Sequence, residues 1–239
     1  MQHARLPRNP WAEGRIVCKR TDREVAVRLT KWGHSCIRLE GPGGRIVIDP
    51  GSLTEAGATA AVDAILLTHE HADHFLETRV RAAAAANPRL QVWTNASVAS
   101  LLTGLGRQLH VVGHGDAFTA AGFDVQAYGT VHAQVHRDIP LIANTGFLID
   151  GRLFHPGDAL TIPDQPVSTL MLPIHAPWLR IADLIDWSRE MCPRRAFAVH
   201  DGFLNSVGIA FVGGLLGENG PGINTIYRRL APMEEVDDI

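Results

Sequence analysis

The sequence predicts an α/β protein in which two mixed β-sheets pack face to face with helices outside. Three observations carry this: short apolar runs recur along the chain, only a few helical stretches separate them, and polar residues gather where the runs end. Residues 1–24 lack periodicity and read as a partly disordered extension, with Trp11 as an anchor onto the body. A single domain is expected over residues 25–239.

Strands are predicted at Val25 to Leu29, Cys36 to Leu39 and Arg45 to Ile48, the last two joined by the turn Gly41-Pro42-Gly43-Gly44. Ala64 to Leu67 is a short, bounded apolar run that reads as a buried strand. The alanine-rich stretch Leu76 to Ala86 reads as a helix stopped by Asn87-Pro88, and Gln91 to Thr94 returns as a strand. Asn95 or Ser97 can cap a second helix running through Leu105. Further strands are predicted at Leu109 to Val112, Phe123 to Tyr128, Thr145 to Ile149, Leu153 to His155, Val167 to Leu172 and Ala196 to Val199. Arg180 to Met191 reads as a helix, and the apolar, glycine-rich segment Phe203 to Gly217 as a buried one.

A chain of 239 residues with 46% hydrophobic and 20% charged residues can bury a sizeable core. Its net charge of −3, with mixed signs, gives no support for a nucleic-acid partner, so a small molecule is the expected substrate and homo-oligomers are left open. Three scattered cysteines are not a disulfide framework, and they read as small core residues of a reducing compartment. No secretory signal or bilayer-length apolar segment is evident, so the expectation is a cytoplasmic protein without a membrane partner.

The most informative stretch is Thr68-His69-Glu70-His71-Ala72-Asp73-His74. Alternation along an extended segment turns His69 and His71 to one side, and Asp73 and His74 follow in the loop. Imidazole nitrogens with carboxylate oxygens suit zinc, manganese or iron better than calcium or magnesium. Other strand ends offer His132, Asp158 and His200.

This constellation resembles the metallo-β-lactamase superfamily, whose pattern H-x-H-x-D-H is followed by a distant His, an Asp and a last His. The resemblance spans roughly Val25 to Leu230 and includes Gly33-His34-Ser35 and Ile46-Val47-Ile48-Asp49-Pro50-Gly51. The Gly-His-Ser start and the Gly157-Asp158 pair after His155 are similar to a subgroup that includes L-ascorbate 6-phosphate lactonase and uncharacterised metal-dependent hydrolases. The fold so implied is the four-layer αβ/βα sandwich.

The ligand roles implied are His69, His71 and His132 on one divalent ion, Asp73, His74 and His200 on a second, and Asp158 bridging them. Zinc or manganese, with iron also open, would then activate a metal-bridged hydroxide, with Asp73 and Asp158 the catalytic carboxylates. His136, four residues beyond His132, is an alternative ligand. Asp49 reads equally as a partner of a metal-bound histidine or a turn former. His34, His175 and Trp178 read as pocket lining or filler, and His155 as packing beneath the site.

The activity that the subgroup resemblance implies is hydrolysis of a small lactone or other cyclic ester. Phosphodiester cleavage, with Arg137 and Arg180 as phosphate partners, and a non-catalytic metal-binding scaffold or sensor stay open.

Overall fold

The computed structural model describes residues 27–218 and 220–239, so the extension expected at residues 1–24 lies outside the described residues. The first half of the chain builds one sheet. It runs β1 (Arg28–Lys31), β2 (Ile37–Gly41), β3 (Gly44–Ile48), β4 (Ala64–Leu67), α1 (Glu77–Ala86), β5 (Gln91–Thr94), α2 (Ala96–Leu101) and β6 (Leu109–Val111). The second half comprises β7 (Ala117–Ala120), β8 (Phe123–Tyr128), β9 (Gly146–Ile149), β10 (Leu153–His155), β11 (Thr169–Pro173), α3 (Ile181–Met191), β12 (Arg195–Val199), α4 (Ser206–Leu216), β13 (Ile226–Arg228) and β14 (Glu235–Val236).

Two seven-stranded sheets result, ordered β14-β1-β2-β3-β4-β5-β6 and β13-β12-β11-β10-β9-β8-β7. Each joins an antiparallel half to a parallel one, the switch falling at β3 to β4 and at β10 to β11. Strand β14 pairs antiparallel with β1 at the edge of the first sheet.

Alternation along the strands makes the layers. Ile46, Ile48 and Leu66 point between the sheets, against Phe147, Met171 and Phe197 of the other sheet. Their neighbours Val47, Ile65 and Leu67 point outward to Val80 and Ala84 of α1 and Val98 of α2. In the second sheet Leu148, Leu170 and Ala198 likewise face Leu184 and Trp187 of α3. Strands covered on both faces read as continuous apolar runs, as β4 does. The expected four layers are therefore present.

Several boundaries shift by one to four residues. β1 starts at Arg28, three residues after the predicted Val25, and α2 ends at Leu101 rather than Leu105, followed by a short 3₁₀ turn at Gly106–Gln108. Asn95 caps α2, its side chain accepting the Val98 N–H at 3.1 Å.

Two readings need correction. Helix α4 is not buried: of its residues only Leu216 is covered, while Val207 and Phe211 are 73% and 68% exposed. Nor are all the cysteines plain core fillers, for Cys36 is buried and free whereas Cys192 is only half-buried; Cys18 lies outside the described residues. Among the described residues no helix is long and apolar enough to cross a membrane.

Candidate metal centre

The His-rich stretch leaves the C-terminal end of β4 at the edge where the parallel strands of both sheets end. Loops from the second sheet bring His132, Asp158 and His200 to the same edge. The result is two groups of side chains, His69, His71, His132 and Asp158 in one, His34, Asp73, His74 and His200 in the other, with ligand atoms in each lying within 4.8 Å of one another.

Asp158 stands between the groups. Its Oδ1 lies 3.1 Å from His74 Nε2, and its Oδ2 lies 3.0 Å from His200 Nε2 and 3.4 Å from His132 Nε2. Gly157 turns the chain there at φ +62°, and a Cβ on it would come within 2.3 Å of the Asn144 amide oxygen. That oxygen accepts the Asp158 N–H at 3.0 Å, and the Trp178 indole N–H donates to Asp158 Oδ2 at 3.0 Å. Trp178 thus grips the carboxylate as well as walling the site.

The hydrogen bonds behind the rings fix their tautomers. Thr68 Oγ1 donates to Asp49 Oδ2 at 2.6 Å, so its contact with His69 Nδ1 at 3.0 Å must be a bond accepted from the ring. His74 Nδ1–H donates to the same Asp49 oxygen at 2.7 Å, and His132 Nδ1–H to the Ala133 carbonyl at 2.6 Å. Each ring then presents a bare Nε2 lone pair to the centre. The Nε2 atoms of His69, His74, His132 and His200, with Asp158 Oδ1, are buried without a hydrogen-bond partner. Buried polar atoms are rarely left unpaired, and here they face one another across a common space. This donor set fits divalent cations.

His34 differs. Its Nδ1 accepts the Gly202 N–H at 3.0 Å, so the ring proton sits on Nε2 and is donated to Asp73 Oδ2 at 3.0 Å. The ring orients Asp73 instead of offering a lone pair.

The electrostatics agree with a cation site. Burial raises the Asp73 pKa, but the His34 bond and the neighbouring His74 and His200 outweigh it and hold it at about 2. Burial keeps His69 neutral, well below the ordinary histidine range. At His74 burial opposes protonation, yet Asp158 and Asp49 raise its pKa well above the ordinary value, so these carboxylates favour positive charge there.

Other expected residues fall elsewhere. His136 is exposed and pairs with Asp138, so His132 is the histidine of that loop that joins the group. His175 is half-buried outside both groups. Fully buried His155 lies within 2.9 Å of the Ser35 carbonyl through Nε2 and accepts the Gly157 N–H. Arg137 and Arg180 are largely exposed and pair with Asp138 at 3.7 Å and Asp183 at 3.5 Å.

Sequence reasoning assigned no role to Lys31, Asp201, Thr68, Asn144 or Gly51. Lys31 is 1% exposed and pairs through Nζ with Asp201 Oδ1 at 2.9 Å, while Arg229 Nε holds Oδ2 at 2.7 Å. The network clamps the turn that carries His200, whose backbone is left-handed at φ +57°. A Cβ on Gly51 would sit 2.0 Å from the Asp73 carbonyl oxygen, so only glycine lets the two loops pack. Lys31 gave no signal, because a strand lysine ordinarily faces water.

A model of the β-lactamase superfamily domain matches residues 28–200. The chain belongs to the β-lactamase superfamily. This superfamily member is 36% identical over 181 residues to Protein Rv0786c of Mycobacterium tuberculosis, covering 73% of this chain and 84% of the relative. A UPF0173 metal-dependent hydrolase of Flavobacterium johnsoniae is 29% identical over 155 residues, 60% of this chain and 67% of that one. The metallo-β-lactamase fold protein YhfI of Bacillus subtilis superposes with a TM-score of 0.67 at 12% identity, over 90% of this chain and all of that one. This superfamily member shares the neighbour's fold.

Proposed function

We propose that this protein is a metal-dependent hydrolase that cleaves a small lactone or other uncharged cyclic ester. The observation that carries the reading is the set of buried, unpartnered imidazole nitrogens and the Asp158 oxygen turned toward one space. Membership of the superfamily and the name of the Flavobacterium johnsoniae relative support it. His69, His71 and His132 would hold one ion, Asp73, His74 and His200 a second, with Asp158 shared between them. Divalent cations, zinc or manganese with iron also suited, supply a nucleophilic water at neutral pH and polarise the bond under attack.

The chain's own residues do the rest. Asp49 and Thr68 hold two rings in the tautomer that leaves Nε2 free. Asp73, ionised and fixed by His34, is placed to accept a hydrogen bond from an attacking water and orient it. Trp178 holds Asp158 on the opposite side.

A phosphorylated substrate calls for arginine or lysine beside the ions. Arg137 and Arg180 are paired with neighbouring aspartates, and Lys31 is sealed beneath the site with Asp201, which favours an uncharged ester over a phosphodiester. The test is acid release from panels of lactones and phosphodiesters by zinc- or manganese-loaded protein. The expected result is lactone turnover that a chelator abolishes and added metal restores. Phosphodiester turnover alone would overturn the lactone assignment, and tight metal retention without any turnover would favour a scaffold or sensor.

A further inference from the structure

Helix α4 is apolar on nearly every side yet lies at the surface. From Gly202 to Gly217 no residue is charged. A helix of that composition is ordinarily buried, and an uncovered apolar surface marks a place where something binds. Val207 and Phe211, four residues apart and therefore on one face, are 73% and 68% exposed. Phe203, in the turn between His200 and α4, is 57% exposed, and its ring centroid lies 5.0 Å from that of His34 and 6.0 Å from that of His200. The apolar surface therefore begins at the candidate metal centre.

We propose that Phe203, Val207 and Phe211 form a track for the hydrophobic tail of the substrate, so that the ester cleaved carries an alkyl or acyl chain. This deepens the hydrolase reading and rests on it for the ester group. Continuity with the site argues for a substrate tail, because Phe203 lies beside His34 and His200 at the rim of the centre. The lack of charge along the segment favours an uncharged occupant. At 1.5 Å per helical residue Val207 to Phe211 spans about 6 Å along α4, and Phe203 extends the track toward the centre.

The test uses N-alkylacetamides from butyl to decyl, which are uncharged and are not esters, titrated calorimetrically into the metal-loaded protein. Affinity should rise about twofold per methylene, since the track covers only one side of the chain. In the double variant Val207→Ser, Phe211→Ser the decyl-to-butyl affinity ratio should fall at least fivefold. Affinity independent of chain length, or a ratio unchanged in the variant, would overturn the proposal. So would a dimer in sedimentation, or co-sedimentation with phosphatidylcholine vesicles, that the same variant abolishes, since the track would then belong to a second copy or a lipid surface. If the chain-length series behaves as expected while no ester is cleaved, the track stands and the hydrolase reading fails.

Discussion

Replacing Asp158 with asparagine should lower kcat/KM by more than about 100-fold, beyond what is usual for residues that only support metal ligands. The shape of the side chain is kept, and the bonds that hold this position can persist: Asn144 accepts the residue's backbone N–H, and Trp178 donates to a carbonyl oxygen as well as to a carboxylate. The negative charge facing His74, His132 and His200 is lost. Circular dichroism should therefore report an intact fold while bound metal falls. Undiminished turnover in folded Asp158→Asn protein would contradict a shared carboxylate.

The second large effect is expected at Asp49, which no solvent reaches. Its carboxylate accepts the Thr68 N–H at 2.8 Å, the Thr68 hydroxyl at 2.6 Å and His74 Nδ1–H at 2.7 Å. Asp49→Ala leaves all three donors buried without an acceptor, at about 1 to 3 kcal/mol each when considered singly. A net loss of about 3 to 5 kcal/mol is expected, because neighbouring effects are not additive. Urea unfolding of metal-free protein measures it. The same change frees the tautomers of His69 and His74, so metal affinity should drop a further 10- to 100-fold in chelator competition. A variant as stable as the parent, with unchanged affinity, would show that Asp49 is only a turn former.

Both predictions concern residues whose partners lie far away in the chain, and this separates what the sequence revealed from what it hid. The His69 to His74 cluster was legible because its residues are contiguous. Interior strands such as β5, β8 and β10 were found to the residue, since burial leaves an apolar stretch in β5 and β10 and a clear alternation in β8. β13 and β14 have three and two residues and exist through pairing with β12 and β1, so no local pattern announces them. β7 has only Ala120 fully covered, too weak an alternation to stand out. His34 meets Asp73 only because the turn after β1 packs against the turn after β4, a contact no spacing encodes. Composition misled at α4, where an apolar helix was read as core although the fold leaves it open beside the site.

The most direct test of the central claim is the metal content of protein loaded with zinc or manganese, freed of excess ion by gel filtration and assayed by plasma mass spectrometry. Two side-chain groups joined by Asp158 predict two ions per chain, with loss of bound metal in Asp158→Asn. A chain that retains no metal after filtration, or retains the same amount in that variant, would contradict the account.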